Sequence, residues 1–308
     1  MNLFKNSMAG IGAIALAIAA AAIAADAQKA QATAGTPITQ CGTVITTPGL
    51  YVVSASLTST SNTVDCIDVD TPAVSLSLAD GVTLSGPGGS AVTAAGIKIP
   101  KGSTGVEVNF GQATIQGFGI GIDEEADAAW LNGGNTGGSV LSNAAQGILV
   151  KGANGVFIFS AACENNGGAG LELLHASGVI VQGVPLMQTN NGYGLWVDSS
   201  SGNQFFNLES FDNKLSGIYV GGSATDRLSA KSNARDNDPS TDNVFLGAAA
   251  IENGGAGFVI DLGDSHNVVA LSMGEGNKDP DAVDENKDCD HNEWTGNSFT
   301  TTNATCIH

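Results

Sequence analysis

Positive charge is what this chain has least of: 11 Lys and Arg stand against 30 Asp and Glu in 308 residues, a formal charge of −19 at pH 7. Nucleic acids and anionic membranes are gripped through clustered cations, so neither is an expected partner. Amphipathic helical patterning is also missing, which argues against solenoids built from helices. No CxxC pair or Cys/His cluster offers a zinc site. Beyond the N-terminal segment, no apolar stretch reaches the length of a membrane span.

What is abundant is glycine, 42 residues, much of it in register with asparagine. The pairs Asn143/Gly147, Asn166/Gly170, Asn190/Gly194, Asn213/Gly217 and Asn253/Gly257 recur at steps of 23, 24, 23 and 40 residues. Periods of twenty-odd residues signal a solenoid whose repeats bury their apolar faces only against their neighbours. Each glycine opens an apolar–any–apolar triplet: Ile148-Leu149-Val150, Leu171-Glu172-Leu173, Leu195-Trp196-Val197, Ile218-Tyr219-Val220 and Phe258-Val259-Ile260. Period two means strand, with the outer residues of each triplet inside and the middle one facing solvent.

About nine residues later a second strand follows in most turns, as in Gly155-Val-Phe-Ile-Phe, Gly178-Val-Ile-Val, Asn203-Gln-Phe-Phe, Asn243-Val-Phe-Leu, Asn267-Val-Val-Ala and Asn292-Glu-Trp. Two or three short strands per turn predict an all-β parallel β-helix. Asparagines stacked at about 4.8 Å can then bond as an amide ladder. The glycine is expected to supply the backbone angles of the bend.

With these Asn-x-x-x-Gly-Φ-x-Φ units, the strand starts at Asn203, Asn243 and Asn267, the opening Cys41-Gly-Thr-Val-Ile-Thr-Thr-Pro-Gly-Leu-Tyr-Val and the closing Cys289-Asp-His-Asn-Glu-Trp-Thr-Gly-Asn-Ser-Phe, the sequence resembles the right-handed parallel β-helix proteins of the pectin-lyase-like superfamily, secreted bacterial type. The resemblance covers nearly all of the chain after its first segment. It implies a right-handed solenoid, but no single activity, since the superfamily holds lyases, hydrolases, epimerases, adhesins and inert scaffolds.

A short basic start at Lys5, an apolar stretch from Ala9 to Ala25 and the small-residue site Ala25-Asp26-Ala27 read as an export signal over 1–27. A flexible stretch over 28–40 and one β-helix domain over 41–308 are expected to follow, in the periplasm, at the cell surface or secreted. Cys41 and Cys66 flank the first turn and Cys289 and Cys306 the last, and pairing them would cap the open ends of the solenoid. Cys163 reads as a small buried hydrophobe.

Functional candidates gather on one outer face. The middle residues of successive triplets are Lys98, Asp123, Leu149, Glu172, Trp196, Tyr219 and Val259, which makes Trp196 and Tyr219 outward neighbours suited to stacking on sugar rings. The long step between Gly217 and Gly257 places an insertion at about 221–242 beside them. It carries Arg227 and Arg235, the only arginines of the chain, with Lys231, Asp226, Asp236 and Asp238. Arginine holds carboxylates bidentately, so Trp196, Tyr219, Arg227 and Arg235 form a candidate site for polysaccharide, acidic glycans included.

Were the chain a polysaccharide lyase or hydrolase, Glu172 or Asp198 would be the acid or metal ligand and Arg227, Lys231 or Arg235 the base or clamp. No Asn-Thr-Asp, Asp-Asp or Arg-Ile-Lys motif of polygalacturonases is present, nor the Asp-Pro-His-Glu of alginate epimerases. The acidic runs Asp123–Asp127 and Asp279–Asp290 are oxygen-rich enough for Ca2+, yet neither has the spacing of a calcium loop, and both also read as solvated acidic loops. His266 and His291 precede Asn267 and Asn292 at one turn position and are placed to stack.

Overall fold

The computed structural model describes residues 35–134, 137–183, 185–222 and 239–308. The expected export signal and most of the expected flexible N-terminus lie outside the described residues, as do positions 223–238 with Asp226, Arg227, Lys231, Arg235, Asp236 and Asp238.

Each coil contributes one strand to each of three sheets. Ile148–Lys151 lies in the first sheet, Phe157–Phe159 in the second and Ala161–Glu164 in the third, after which Leu171–Leu174 returns to the first, one coil on. The first and third sheets have 10 strands and the second 11, and every pairing is with a parallel strand of a neighbouring coil. The result is a right-handed parallel solenoid of about 10 turns, with no α-helix among the described residues.

The core follows from strand alternation. In the first sheet the outer residues of each triplet point inward, and Ile148, Val150, Leu171, Leu173, Leu195, Val197, Ile218, Val220, Phe258 and Ile260 are all at 0–1 % exposure. Each such side chain contributes roughly 1.5–3 kcal/mol over leaving it exposed. In the second sheet the parity reverses and the middle residue points in. Phe205 and Phe245 meet there in a stack, centroids 4.7 Å apart.

Two asparagine ladders close the turns. In the first, the backbone N–H and Nδ2 of Asn143 donate to Oδ1 of Asn166, and the pattern repeats through Asn190, Asn213, Asn253 and Asn277 at 2.9–3.1 Å. Asn203, Asn243, Asn267 and Asn292 form the second ladder. Every bond points toward the later coil, so the last asparagine of each ladder has a donor left over. A carboxylate, which only accepts, ends each run: Asp281 takes Nδ2 of Asn277 at 2.9 Å and Asp284 takes Nδ2 of Asn292 at 3.1 Å.

The repeated glycines serve these ladders by absence rather than by backbone angle. None of Gly147, Gly170, Gly194, Gly217 and Gly257 has a positive φ. A Cβ on any of them would instead meet the next coil's ladder amide nitrogen at 2.6–2.8 Å, so only hydrogen fits. Disulfides join Cys41 to Cys66 and Cys289 to Cys306, and Cys163 is free and buried, its thiol pushed to high pKa first by burial and then by Glu164.

Candidate functional site

On the outer face of the first sheet the strand register sets Lys98 beside Asp123, Asp123 beside Leu149, Leu149 beside Glu172, Glu172 beside Trp196, Trp196 beside Tyr219 and Tyr219 beside Val259. The row is the expected one, but it is far less open to solvent than alternation alone implies. Glu172 is 4 % exposed and Tyr219 9 %, while Trp196 is half-buried. Rows only about 4.8 Å apart shield one another, and Tyr193, in the turn between Asn190 and Gly194, leans over them.

Tyr193 stacks on Tyr219 with centroids 4.6 Å apart and lies 5.6 Å from the Trp196 ring. The three rings, with Ala256, Val259 and Val283, make an apolar cluster separate from the solenoid core. Their polar atoms are held in place. The Trp196 indole N–H donates to the Gly221 carbonyl at 2.8 Å, and the Tyr219 hydroxyl donates to Asp261 Oδ2 at 2.7 Å. The Tyr193 phenol is raised above its ordinary pKa by burial and then by the Asp261 charge.

Glu172 adjoins this cluster. Its Oε2 accepts from Gln146 Nε2 at 2.6 Å. Burial pushes its carboxyl up to about 7; the Gln146 bond opposes that rise and the Asp198 charge adds to it. Asp198 pairs in register with Leu174, two residues beyond Glu172, and its Oδ1 accepts from Ser199 Oγ at 2.9 Å. Strand spacing and rise put the two Cα atoms on a diagonal of roughly 8 Å. The structure thus brings together Glu172, Asp198, Trp196 and Tyr219. Arg227, Lys231 and Arg235 lie outside the described residues.

Strand alternation disperses the first acidic run instead of gathering it into a loop. Asp123 points outward to Lys98 at 3.5 Å, Glu125 pairs with Lys151 at 3.7 Å, and Asp127 accepts from the Asn154 backbone and side chain. Glu124 turns into the core at 0 % exposure. In the second run Asp281 and Asp284 are buried ladder ends. Among the described residues no group of three or more His, Cys, Asp or Glu is arranged to hold a metal ion. His266 and His291 stack as expected, centroids 5.0 Å apart.

Sequence reasoning missed Tyr193, Gln146 and Asp261. Gln146 and Tyr193 share one signal, since each immediately precedes the glycine of a repeat, Gly147 and Gly194, and so flanks the outward row.

No curated protein matches the chain. Among solved structures, a single-substitution mutant of the periplasmic alginate epimerase AlgG is similar at 14 % identity with a TM-score of 0.52, over 72 % of this chain and 50 % of that one. The chain therefore spans half the length of that epimerase. The Dettilon tailspike protein, at 11 % identity and TM-score 0.47, covers 82 % of this chain and 62 % of its own. The A-module of the mannuronan C-5 epimerase AlgE6 of Azotobacter vinelandii, at 14 % and 0.44, covers 92 % and 90 %. The family model described as the right handed beta helix region matches residues 80–299, and with the three parallel sheets this makes the chain a member of the right-handed β-helix family.

Proposed function

We propose that the protein is an exported β-helix scaffold that binds extracellular or cell-envelope polysaccharide on the outer face of its first sheet. The observation that carries this reading is the Tyr193–Trp196–Tyr219 cluster with Glu172 and Asp198 at its border. Fixed aromatic rings suit the apolar faces of sugars, and neighbouring carboxylates accept hydrogen bonds from hydroxyls. Two disulfides suit an oxidising compartment outside the cytoplasm. Among the described residues no helix is long and apolar enough to cross a membrane.

A preference for acidic glycans would rest on Arg227 and Arg235, because the described part of the site is itself acidic. A glycan array that includes alginate tests both levels. Trp196→Ala should lose about 1–2 kcal/mol of binding, and Arg227→Ala or Arg235→Ala should weaken acidic glycans alone, less so in high salt. An array that stays blank, or binding indifferent to Trp196→Ala, removes the proposal.

Glu172 favours a second reading, a carbohydrate-active enzyme. A carboxyl raised to about 7 is poised for acid–base work near neutrality. Asp198, outward on the next coil, is the second carboxyl that glycoside hydrolysis needs. Incubation of bound glycans should then release reducing ends, or unsaturated uronates if a cation from the insertion serves as lyase base. Glu172→Gln should abolish that turnover while leaving binding in place.

A further inference from the structure

Asparagine followed by glycine is the pair most open to spontaneous deamidation, because glycine leaves the backbone nitrogen after the asparagine unshielded and the chain free to fold onto it. The sequence holds five such pairs, beginning at Asn132, Asn154, Asn166, Asn191 and Asn253. In each the glycine N–H is bonded to a carbonyl, of Phe159, Ser177, Asn143, Gly168 and Asn213 in turn, at 2.7–2.9 Å. That bond slows all five alike, so the asparagine side chain decides between them.

Asn166 and Asn253 are ladder rungs at 0–1 % exposure, with both amide atoms engaged by neighbouring coils. Asn132 is buried and bonded to Asn109 and Gly134. Asn154 is exposed, yet its Nδ2 donates to Asp127 at 3.0 Å and its Oδ1 accepts from Ser177 Oγ. Asn191 is exposed too, and its side chain makes no hydrogen bond among the described residues. A shift of one residue is the cause. In this coil the rung is Asn190, so the glycine follows the residue after the rung instead of the rung itself. Nor can that glycine be exchanged, since a Cβ on Gly192 would meet the Gly168 carbonyl carbon at 2.7 Å and its oxygen at 2.8 Å.

From this contrast we infer that Asn191 is a site of self-modification, converting to aspartate and isoaspartate in the folded protein ahead of the other four pairs. The Gly192 nitrogen attacks Asn191 Cγ, its proton leaves with the side-chain nitrogen as ammonia, and a succinimide ring closes. Water then opens the ring at either carbonyl. No oxidant or reductant takes part. The iso product runs the main chain through Cβ, one atom longer and two residues before Tyr193, so it displaces that ring from the Tyr219 stack held at 4.6 Å.

Peptide mapping by mass spectrometry with electron-transfer fragmentation tests this, on the full chain aged in warm, mildly alkaline buffer beside a urea-unfolded sample. Folded, Asn191 should convert several-fold ahead of Asn154 and Asn132, with Asn166 and Asn253 unchanged; unfolded, all of them should convert at similar rates. The near-UV circular dichroism of the aromatic cluster should fade with the iso fraction. Asn191→Gln, whose longer side chain closes its ring poorly, should keep both mass and signal. Folded protein whose Asn191 is untouched after the unfolded sample has converted overturns the inference, as does conversion of Asn166 or Asn253 at the same pace. Conversion with the near-UV signal intact overturns the displacement of Tyr193.

Discussion

Glu124 ends the strand Ile120–Glu124 and Asp284 ends Ala282–Asp284, and each turns a carboxylate into the core at a position where neighbouring coils carry Ile99, Val150 or Ile260. Both accept the backbone N–H two residues on, from Ala126 and Asn286. There the likeness ends. Asp284 also takes Asn286 Nδ2 at 3.0 Å, Asn292 Nδ2 at 3.1 Å and Trp294 Nε1 at 2.9 Å, so both its oxygens are engaged. Glu124 Oε2 has no hydrogen-bond partner among the described residues. Its carboxyl is pushed from 4.5 up to about 8, first by burial, with the Ala126 bond opposing and the charges of Asp123, Glu125 and Asp127 adding. Depth is equal at the two sites; donors decide what each acid contributes.

Removing Asp284 should break the comparison most. Asp284→Ala strands the indole of Trp294 and two side-chain amides in a buried site, and should cost about 3–5 kcal/mol in thermal or denaturant unfolding. A cost near that of an ordinary surface change would mean that water replaces the carboxylate.

Glu124→Gln should act the other way. The folded carboxyl titrates above its unfolded value, so its contribution is complete below pH 4.5 and is lost as pH climbs toward about 8. The amide keeps an acceptor for Ala126 and cannot ionise. Relative to the native chain the variant should gain about 4–5 kcal/mol at the upper end of that window and little at the lower. Melting curves at both ends suffice, and a difference independent of pH would show that Glu124 is solvated.

The smallest expected effect sharpens the pair. Asn292→Ala deletes one donor to Asp284 and the last rung of the second ladder, at a cost of about 1–2 kcal/mol. A cost near zero would mean that the Asn286 and Trp294 bonds alone hold the Asp284 side chain in place.

Much of this architecture could be read in the residues. Coil period, outward row, cysteine pairing and histidine stack all follow from spacing, because a solenoid places equivalent positions directly above one another. Glu124 was legible too, since taking Asp123 as the middle residue of its triplet makes Glu124 the inward one; reading Asp123–Asp127 as a loop hides it. Asn277 escaped for a related reason, since Asp281 stands four residues on where other repeats have glycine. Tyr193 and Asp261 sit outside the triplets, so strand alternation says nothing of them.

The one-way bonding of the ladders bears on how such a chain can change in length. A coil duplicated in the middle would bring its own acceptor for the coil before and its own donors for the coil after, so copying 23 or 24 residues leaves every rung matched. Nothing equivalent can be copied past Asp281 and Asp284, whose carboxylates have no proton to pass on. Ancestral lengthening or shortening would therefore be written between these residues and the first rung, with the closing coil inherited as a unit.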